Sequence, residues 1–319
     1  MDNVFSRAAV MRRRLGTGEA PRLATVATTH TATTQATAKA AGQVQKPVPS
    51  RALAIEHREA TLLFIARVGY ATVRQVARAV WGKADKSARM CAGRSLRWLS
   101  ERNLLTRKRD GDTASCEYLY ALTRAGVSTL NGLDVSLPGG KAHGRDWLRY
   151  AHSHRNACND VFASLYASAE LKEARMKVYS ELEIRAGTAP VCNLEYKSAD
   201  GSRFRKIPDL LMVGPRDRVT WIEVENAYRN DKDLQKVLSM MRAEALTEKP
   251  RVNQFVFYVT AKGAVRIGER LKNALKPEPG AAHGSIAAAD TRILREMLFV
   301  FAIDRDTLAE KVLVAPAHK

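Results

Sequence analysis

Residues 51–131 carry three short helical patterns followed by two extended runs, and this order limits the fold more than any other feature of the chain. Thr72 and Gln75 have the spacing of a capping box, which predicts the start of the second helix. The extended runs flank an Asp-Gly turn and predict a β-hairpin, after which Thr123 is expected to cap a further short helix. The helical patterns span 55–69, 73–80 and 87–102, and the extended runs span 104–109 and 117–122.

The second half of the chain has a different pattern, in which extended and helical segments alternate. A long helix over 147–171 is expected to lead into it. Extended segments are predicted at 177–185, 207–213, 219–225, 255–259 and 297–303, and helices at 231–246 and 264–275. Together the two patterns predict an α+β protein with a basic flexible arm at 1–50, a winged helix-turn-helix domain at 51–135 and a mixed α/β domain at 145–319.

The net charge of +19 favours a polyanionic partner, and nearly half of this charge lies within residues 51–150. Residues 1–50 are rich in Ala, Thr and Arg and nearly free of acids, which is typical of a flexible basic arm. Mitochondrial transit peptides share that composition, and they are the second interpretation of this segment.

The four cysteines form no C-x-x-C pair, so the sequence indicates neither a zinc knuckle nor a disulfide framework. We expect reduced thiols in a cytoplasmic protein. No apolar run is long enough to cross a bilayer, and a membrane partner is not expected.

Three helices and a hairpin form the layout in which the third helix enters the major groove of double-stranded DNA. Arginine side chains on that helix could bind guanine or phosphate, and basic residues on the hairpin could follow the backbone. A solvated helix face is the alternative interpretation, but Asp85 is the one acid between Ala60 and Ser100. The candidate DNA-binding residues are Ser87, Arg89, Arg94, Arg97, Arg107, Lys108 and Arg109.

The same region resembles the replication-relaxation family of plasmid and mobile-element proteins. The resemblance rests on the segment 69–77, on Leu104-Leu105 before the hairpin, and on the ending at 120–126. It implies an accessory protein of plasmid mobilization or replication, with a relaxase or another plasmid-transfer protein as a partner. A homodimer is also expected, because many winged-helix proteins pair on DNA.

Two carboxylate motifs follow one another in the second half: Pro208-Asp209 opens one predicted strand and Glu223-Val224-Glu225 lies in the next. Glu223 and Glu225 point to the same face because side chains alternate along a strand. Carboxylates buried together repel, so a positive group is expected between them, and a divalent metal is one candidate. An exposed acidic strand face is the alternative.

This spacing resembles the P-D-x(n)-(D/E)-x-K nuclease superfamily. The resemblance implies that Asp209, Glu223 and Glu181 hold Mg²⁺, with Asp209, Glu223, Glu225 and Lys232 as the catalytic set. Glu225 occupies the position at which that motif has its lysine. Lys232 could supply the missing cation from the following helix, and Arg229 and Lys236 are alternatives.

The sequence is compatible with three functions. The chain could be a DNA-binding accessory protein with a nuclease-like metal-binding domain, an active metal-dependent endonuclease, or a transcriptional repressor with a non-catalytic second domain. His152 and His154, two residues apart on a predicted helix, are expected to point to different faces and to form no ligand pair.

Overall fold

The computed structural model describes residues 50–110, 117–132, 144–149, 151–191, 194–197, 201–226, 230–260, 266–278 and 280–316. Apart from Ser50, the predicted basic arm lies outside these residues. Among the helices that are described, none combines the length and the apolar character that a bilayer-spanning segment requires.

The amino-terminal part begins with helices α1 (Ser50–Val68), α2 (Val73–Trp81) and α3 (Lys86–Glu101). The predicted capping box is present, since the Thr72 side chain accepts from the Gln75 amide and the Gln75 side chain accepts from Thr72 N. Three helices are therefore found where the sequence predicts them.

The predicted hairpin follows, with β1 (Leu105–Arg109) and β2 (Tyr118–Leu122) in antiparallel register. Ala71 pairs with Tyr120 in an isolated antiparallel bridge, which attaches the hairpin to the turn before α2. Helix α4 (Arg124–Asn131) then follows, and it is capped by Thr123, whose hydroxyl accepts from the Gly126 amide. The hairpin tip at 111–116 lies outside the described residues.

The long helix expected at 147–171 is wrong as a single element, because the segment forms α5 (Gly144–Arg149), α6 (Ser153–Ala167) and α7 (Ala169–Glu173). His152 is extended and caps α6, and its ring accepts from the Arg155 amide. Ser168 ends α6 in an extended conformation and caps α7. Capping side chains satisfy backbone amides at a new helix start, so each one favours a break in the pattern.

Among the described residues, the second half also contains eight strands, four further α-helices, a 3-10 turn (Pro215–Asp217) and a π-helical turn (Ile293–Met297). The strands are β3 (Lys177–Ser180), β4 (Leu194–Lys197), β5 (Arg203–Lys206), β6 (Leu210–Val213), β7 (Val219–Glu225), β8 (Gln254–Val259), β9 (Leu298–Ile303) and β10 (Glu310–Val314). The helices are α8 (Glu181–Arg185), α9 (Asp231–Leu246), α10 (Ile267–Ala274) and α11 (Ile286–Arg292).

Six of these strands form one mixed sheet in the order β10-β9-β8-β7-β6-β3. Strands β7, β8 and β9 are parallel, and the other neighbours are antiparallel. Strands β4 and β5 form a separate hairpin that the sequence analysis does not predict. The chain is thus a mixed α+β protein.

The first strand of the sheet is shorter than predicted. The extended segment expected at 177–185 ends at Ser180, because Ser180 and Glu183 form a second capping box and start α8. Glu181 therefore lies in the first turn of a helix and not on a strand.

Apolar side chains cover both faces of the sheet. On β7, Ile222 and Val224 belong to a cluster that contains Phe162 of α6, whereas Trp221 belongs to a cluster on the opposite face. The first cluster also contains Phe64 of α1. One continuous core therefore crosses the predicted boundary between 51–135 and 145–319, and that boundary stays a prediction.

A buried ionic network joins the two halves. Asp160 of α6 has no exposed surface, and its carboxylate accepts from Gln75 at 2.7 Å and from Arg305 at 2.7 Å. The Arg74 guanidinium lies 3.0 Å from the same carboxylate. Burial opposes the charged form of Arg74, but Asp160 and Glu117 raise the pKa of its guanidinium above the ordinary value. This network ties α2, α6 and the segment after β9 together.

Asp160→Asn should lower the free energy of unfolding of the full chain by about 3–5 kcal/mol, because it leaves two arginines without their buried counter-charge. Urea denaturation measures the change. Glu296→Gln is the control, since it removes a more exposed ion pair with Arg292 and should change the free energy by less than about 1 kcal/mol. Equal losses in the two variants would contradict a structural role for the network.

Candidate functional site

Asp209, just before β6, lies next to Glu223 of the adjacent strand β7. Leu210 pairs with Ile222 in the antiparallel register of β6 and β7, so the residues just before and just after this pair lie opposite each other. The Asp209 Oδ2 atom accepts from the Val224 amide at 2.8 Å, which fixes the carboxylate at the start of β6. The two motifs of the sequence therefore meet in the fold.

Glu223 is buried and already has a cation beside it. Its Oε2 accepts from Lys206 Nζ at 2.8 Å, and its Oε1 accepts from the Trp221 indole at 2.6 Å. The sequence predicts a positive group here, but no local pattern identifies Lys206, which lies three residues before Asp209 at the end of β5. Its position depends on the unpredicted β4–β5 hairpin.

Glu225 lies buried near the carboxyl end of β7, opposite Val259 of β8. Lys232, the expected catalytic cation, is exposed in the first turn of α9. Lys236 lies 3.3 Å from Asp233, on its own helix. The remaining alternative, Arg229, lies outside the described residues.

Glu181 is held by two arginines, Arg155 at 3.2 Å and Arg185 at 2.7 Å. Burial opposes ionisation of Glu181, yet these arginines and His154 together lower the pKa of its carboxyl below the ordinary value. Glu181 is therefore an ionised group with its own protein partners.

His154 and Cys158 of α6 meet Asp209 at the end of the sheet. The His154 Nε2 atom lies 3.1 Å from Asp209 Oδ1 and 3.6 Å from Cys158 Sγ. The hydrogen bond with Asp209 raises the pKa of His154 above the ordinary value although burial acts against it. Burial raises the pKa of the Cys158 thiol well above its usual range.

Within the described part of the chain, the atoms of His154, Cys158 and Asp209 form the one group of three or more potential metal ligands that all lie within 4.8 Å of one another. Glu181 and Glu223 lie outside that group. Because each of these two carboxylates is paired with cations of the protein, the expected set of Glu181, Asp209 and Glu223 does not fit one shared Mg²⁺ ion in this arrangement.

The sequence predicts that His152 and His154 point to different faces of one helix and form no ligand pair, and it does not indicate the contact of the half-buried His154 with Asp209. His152 precedes the helix, and the two rings stack with centroids 6.2 Å apart. The signal that was missed is the spacing of His154 and Cys158, four residues apart on one helix face.

The candidate DNA-binding residues lie on α3 and β1, and most of them are exposed. Arg89 is the exception: its guanidinium donates to the carbonyls of Ala84, at 2.7 Å, and of Asp306. Lys108 contacts the Leu148 carbonyl at 3.3 Å, and Arg107 lies over the Tyr118 ring. The exposed members are Ser87, Arg94, Arg97, Arg107, Lys108 and Arg109.

The ring of Trp98 on α3 is contacted by two arginine side chains. Arg58 of α1 lies 3.9 Å from the ring centroid and Arg102 lies 3.6 Å from it. Such contacts hold arginine side chains against an aromatic ring, so two further basic groups belong to the surface around α3.

A family model described as replication-relaxation matches residues 62–230, which is more than half of the chain. The protein therefore belongs to the replication-relaxation family, and this membership suggests a role in replication or in plasmid-related processes. No curated protein and no solved structure matches the chain. The matched segment runs from α1 to just beyond β7, so it includes α3, His154, Asp209 and Glu223.

Lys206→Met should lower the free energy of unfolding by about 1–3 kcal/mol, because it leaves the buried Glu223 carboxylate without its cation. Adding Glu223→Gln should recover part of that loss, with a coupling energy of about 0.5–3 kcal/mol between the two positions. Urea denaturation of the single and double variants measures the cycle. Additive losses would show that the ion pair contributes nothing.

Proposed function

We propose that this protein binds double-stranded DNA as an accessory protein of plasmid mobilization or replication. In this proposal α1–α3 and the β1–β2 hairpin act as a winged helix-turn-helix, with α3 in the major groove. The observation that carries it is the exposed basic face of α3 and β1, on the third helix of a three-helix unit followed by a hairpin.

The chemistry of α3 supports a role in reading DNA. Arg94 and Arg97 are exposed and three residues apart, so both project from the same side of the helix. The acid at the start of α3, Asp85, is used within the protein: it caps α3 and lies 2.8 Å from Lys83. Arginine fits guanine and phosphate with two parallel hydrogen bonds, which gives this face its selectivity for nucleic acid.

The hairpin supports backbone contacts. Arg107, Lys108 and Arg109 follow one another on β1, so their charges line both sides of the strand. A phosphate backbone binds such charges without regard to sequence and fixes the register of the protein on the duplex. Arg89 is left out of the proposed surface because it is bound to two main-chain carbonyls.

The α/β half acts in this proposal as a nuclease-like platform. Asp209 precedes β6, Glu223 and Glu225 lie on β7 between β6 and β8, and Glu181 begins α8 directly after β3. Since Glu181 and Glu223 are neutralised by protein cations, this half serves DNA placement and partner binding without needing phosphodiester cleavage. A relaxase or another plasmid-transfer protein is the proposed partner, and a homodimer the proposed assembly.

Arg94→Gln and Arg97→Gln should each weaken binding to duplex DNA by roughly 5- to 150-fold, the range for one lost bidentate base contact. Arg107→Gln and Arg109→Gln should each reduce the slope of log affinity against log salt by about 0.9, because each loses one phosphate contact. Fluorescence anisotropy over a salt series measures both.

Arg295→Gln is the control for these four variants, because Arg295 is an exposed arginine of the α/β half. It should leave affinity and salt slope unchanged. Equal effects in the control and in the α3 variants would show that the protein binds DNA by general charge attraction and not through α3. An affinity that does not depend on salt would contradict the proposed surface.

A metal-dependent endonuclease is the second candidate function, and one observation favours it. Lys206 places an ammonium group 2.8 Å from Glu223. This chain has Glu225 at the position where the nuclease motif has its lysine. In this second proposal the cation of the motif is supplied from β5 instead of β7. The ion pairs of Glu181 and Glu223 count against this function, since a metal would have to compete with them.

Incubation with supercoiled plasmid and magnesium or manganese tests the second candidate. Nicking by the wild type that is lost in Asp209→Asn, Glu223→Gln and Lys206→Met would establish cleavage at this site. Lys236→Met is the control, because Lys236 pairs with Asp233 on the exposed side of α9. We expect no nicking by any of these proteins, together with normal DNA binding, if the chain is the accessory protein proposed above.

A further inference from the structure

The ligand atoms of His154, Cys158 and Asp209 all lie within 4.8 Å of one another, and this grouping does not depend on the proposed DNA binding. His154 and Cys158 lie one turn apart on α6 and face the strand ends, where Asp209 precedes β6. The His154 Nε2 atom is 3.1 Å from Asp209 Oδ1 and 3.6 Å from Cys158 Sγ.

These two separations are close to those between neighbouring ligands of a tetrahedral metal ion. Zinc–ligand bonds of about 2.0–2.3 Å place nitrogen and oxygen ligands about 3.3 Å apart, and nitrogen and sulfur ligands about 3.6 Å apart. A second hydrogen bond also orients the Asp209 carboxylate, because its Oδ2 accepts from the Val224 amide while its Oδ1 is directed at His154. Such support of a ligand is typical of metal sites.

Hydrogen bonding alone uses this arrangement poorly. The Nε2 atom of an imidazole carries either one proton or one lone pair, so it can serve one of its two neighbours fully. Cys158 is almost completely buried, and a thiol is a weak hydrogen-bond partner. A cation among the three ligand atoms would satisfy all three groups at once.

The chemistry of the donors selects the kind of metal. A thiolate and an imidazole favour transition ions of the zinc type over magnesium and calcium, which prefer oxygen ligands. Three protein ligands leave a fourth position open, as in zinc sites that bind water or a substrate atom.

We propose that His154, Cys158 and Asp209 form a binding site for one divalent transition-metal ion of the zinc type, with an open fourth coordination position. The Cys158 thiol loses its proton to solvent when its sulfur binds the metal as a thiolate. The site joins α6 to the start of β6, and the bound ion stabilises the contact between that helix and the sheet.

The test uses the full chain, stripped with a chelator and then titrated with Zn²⁺ or Co²⁺. We expect one metal ion per chain by elemental analysis, and a thiolate-to-cobalt charge-transfer band on addition of Co²⁺. Cys158→Ala should abolish the band and weaken zinc binding by at least about 100-fold. Cys91→Ala is the matched control, because it removes the half-buried cysteine of α3 and should keep both signals.

His154→Gln keeps the test decisive if Cys158→Ala fails to fold. The His154 side chain is 42% exposed, so this variant should fold normally by circular dichroism while losing the metal. A wild type without stoichiometric metal, or a cobalt band that survives in both variants, would overturn the proposal. Arg94→Gln should retain the metal, so failure of this proposal and failure of DNA binding can be told apart.

Discussion

The buried carboxylate of Asp160 is the interaction on which the arrangement of both halves depends. It accepts from Gln75 and Arg305 and lies beside Arg74, so side chains from three separate parts of the chain meet at one charge. A buried ion requires all of its partners, because the desolvation penalty of an unpaired charge exceeds what one hydrogen bond returns. The same helix, α6, carries Asp160 towards α2 and His154 towards the sheet. The position of His154 beside Asp209 therefore depends on the same helix that the buried network holds against α2.

The carboxylate cluster is organised as a set of separate pairs. Glu223 has Lys206, Glu181 has Arg155 and Arg185, and Asp209 has His154 and a backbone amide. This pairing allows several acids to lie close together without a shared hard cation, because each charge is compensated within its own hydrogen-bonding distance. A chain can therefore resemble a nuclease motif in sequence order while its carboxylates pair with cations of the protein. His154 and Cys158 add a nitrogen and a sulfur ligand, which changes the kind of metal that the site would favour.

Much of the fold follows from local sequence signals, whereas the site depends on contacts between distant residues. The limits of β7 and α9 agree with the predicted 219–225 and 231–246, since a buried strand and a capped amphipathic helix both leave clear patterns. The helix predicted at 147–171 is divided because His152 and Ser168 offer caps that compete with continuation. Asp209 and Glu223 could be paired from strand order, but Lys206 and Cys158 reach the site only through the packing of a short hairpin and a helix against the sheet.

The bond from Arg89 to the carbonyl of Asp306 joins the start of α3 to the turn between β9 and β10. A helix held in this way has fewer orientations available before it meets a ligand. Less conformational entropy is then lost when a ligand binds, and preorganisation of this kind increases affinity without adding a contact. The turn between β9 and β10 thereby contributes to whatever binds the exposed face of that helix.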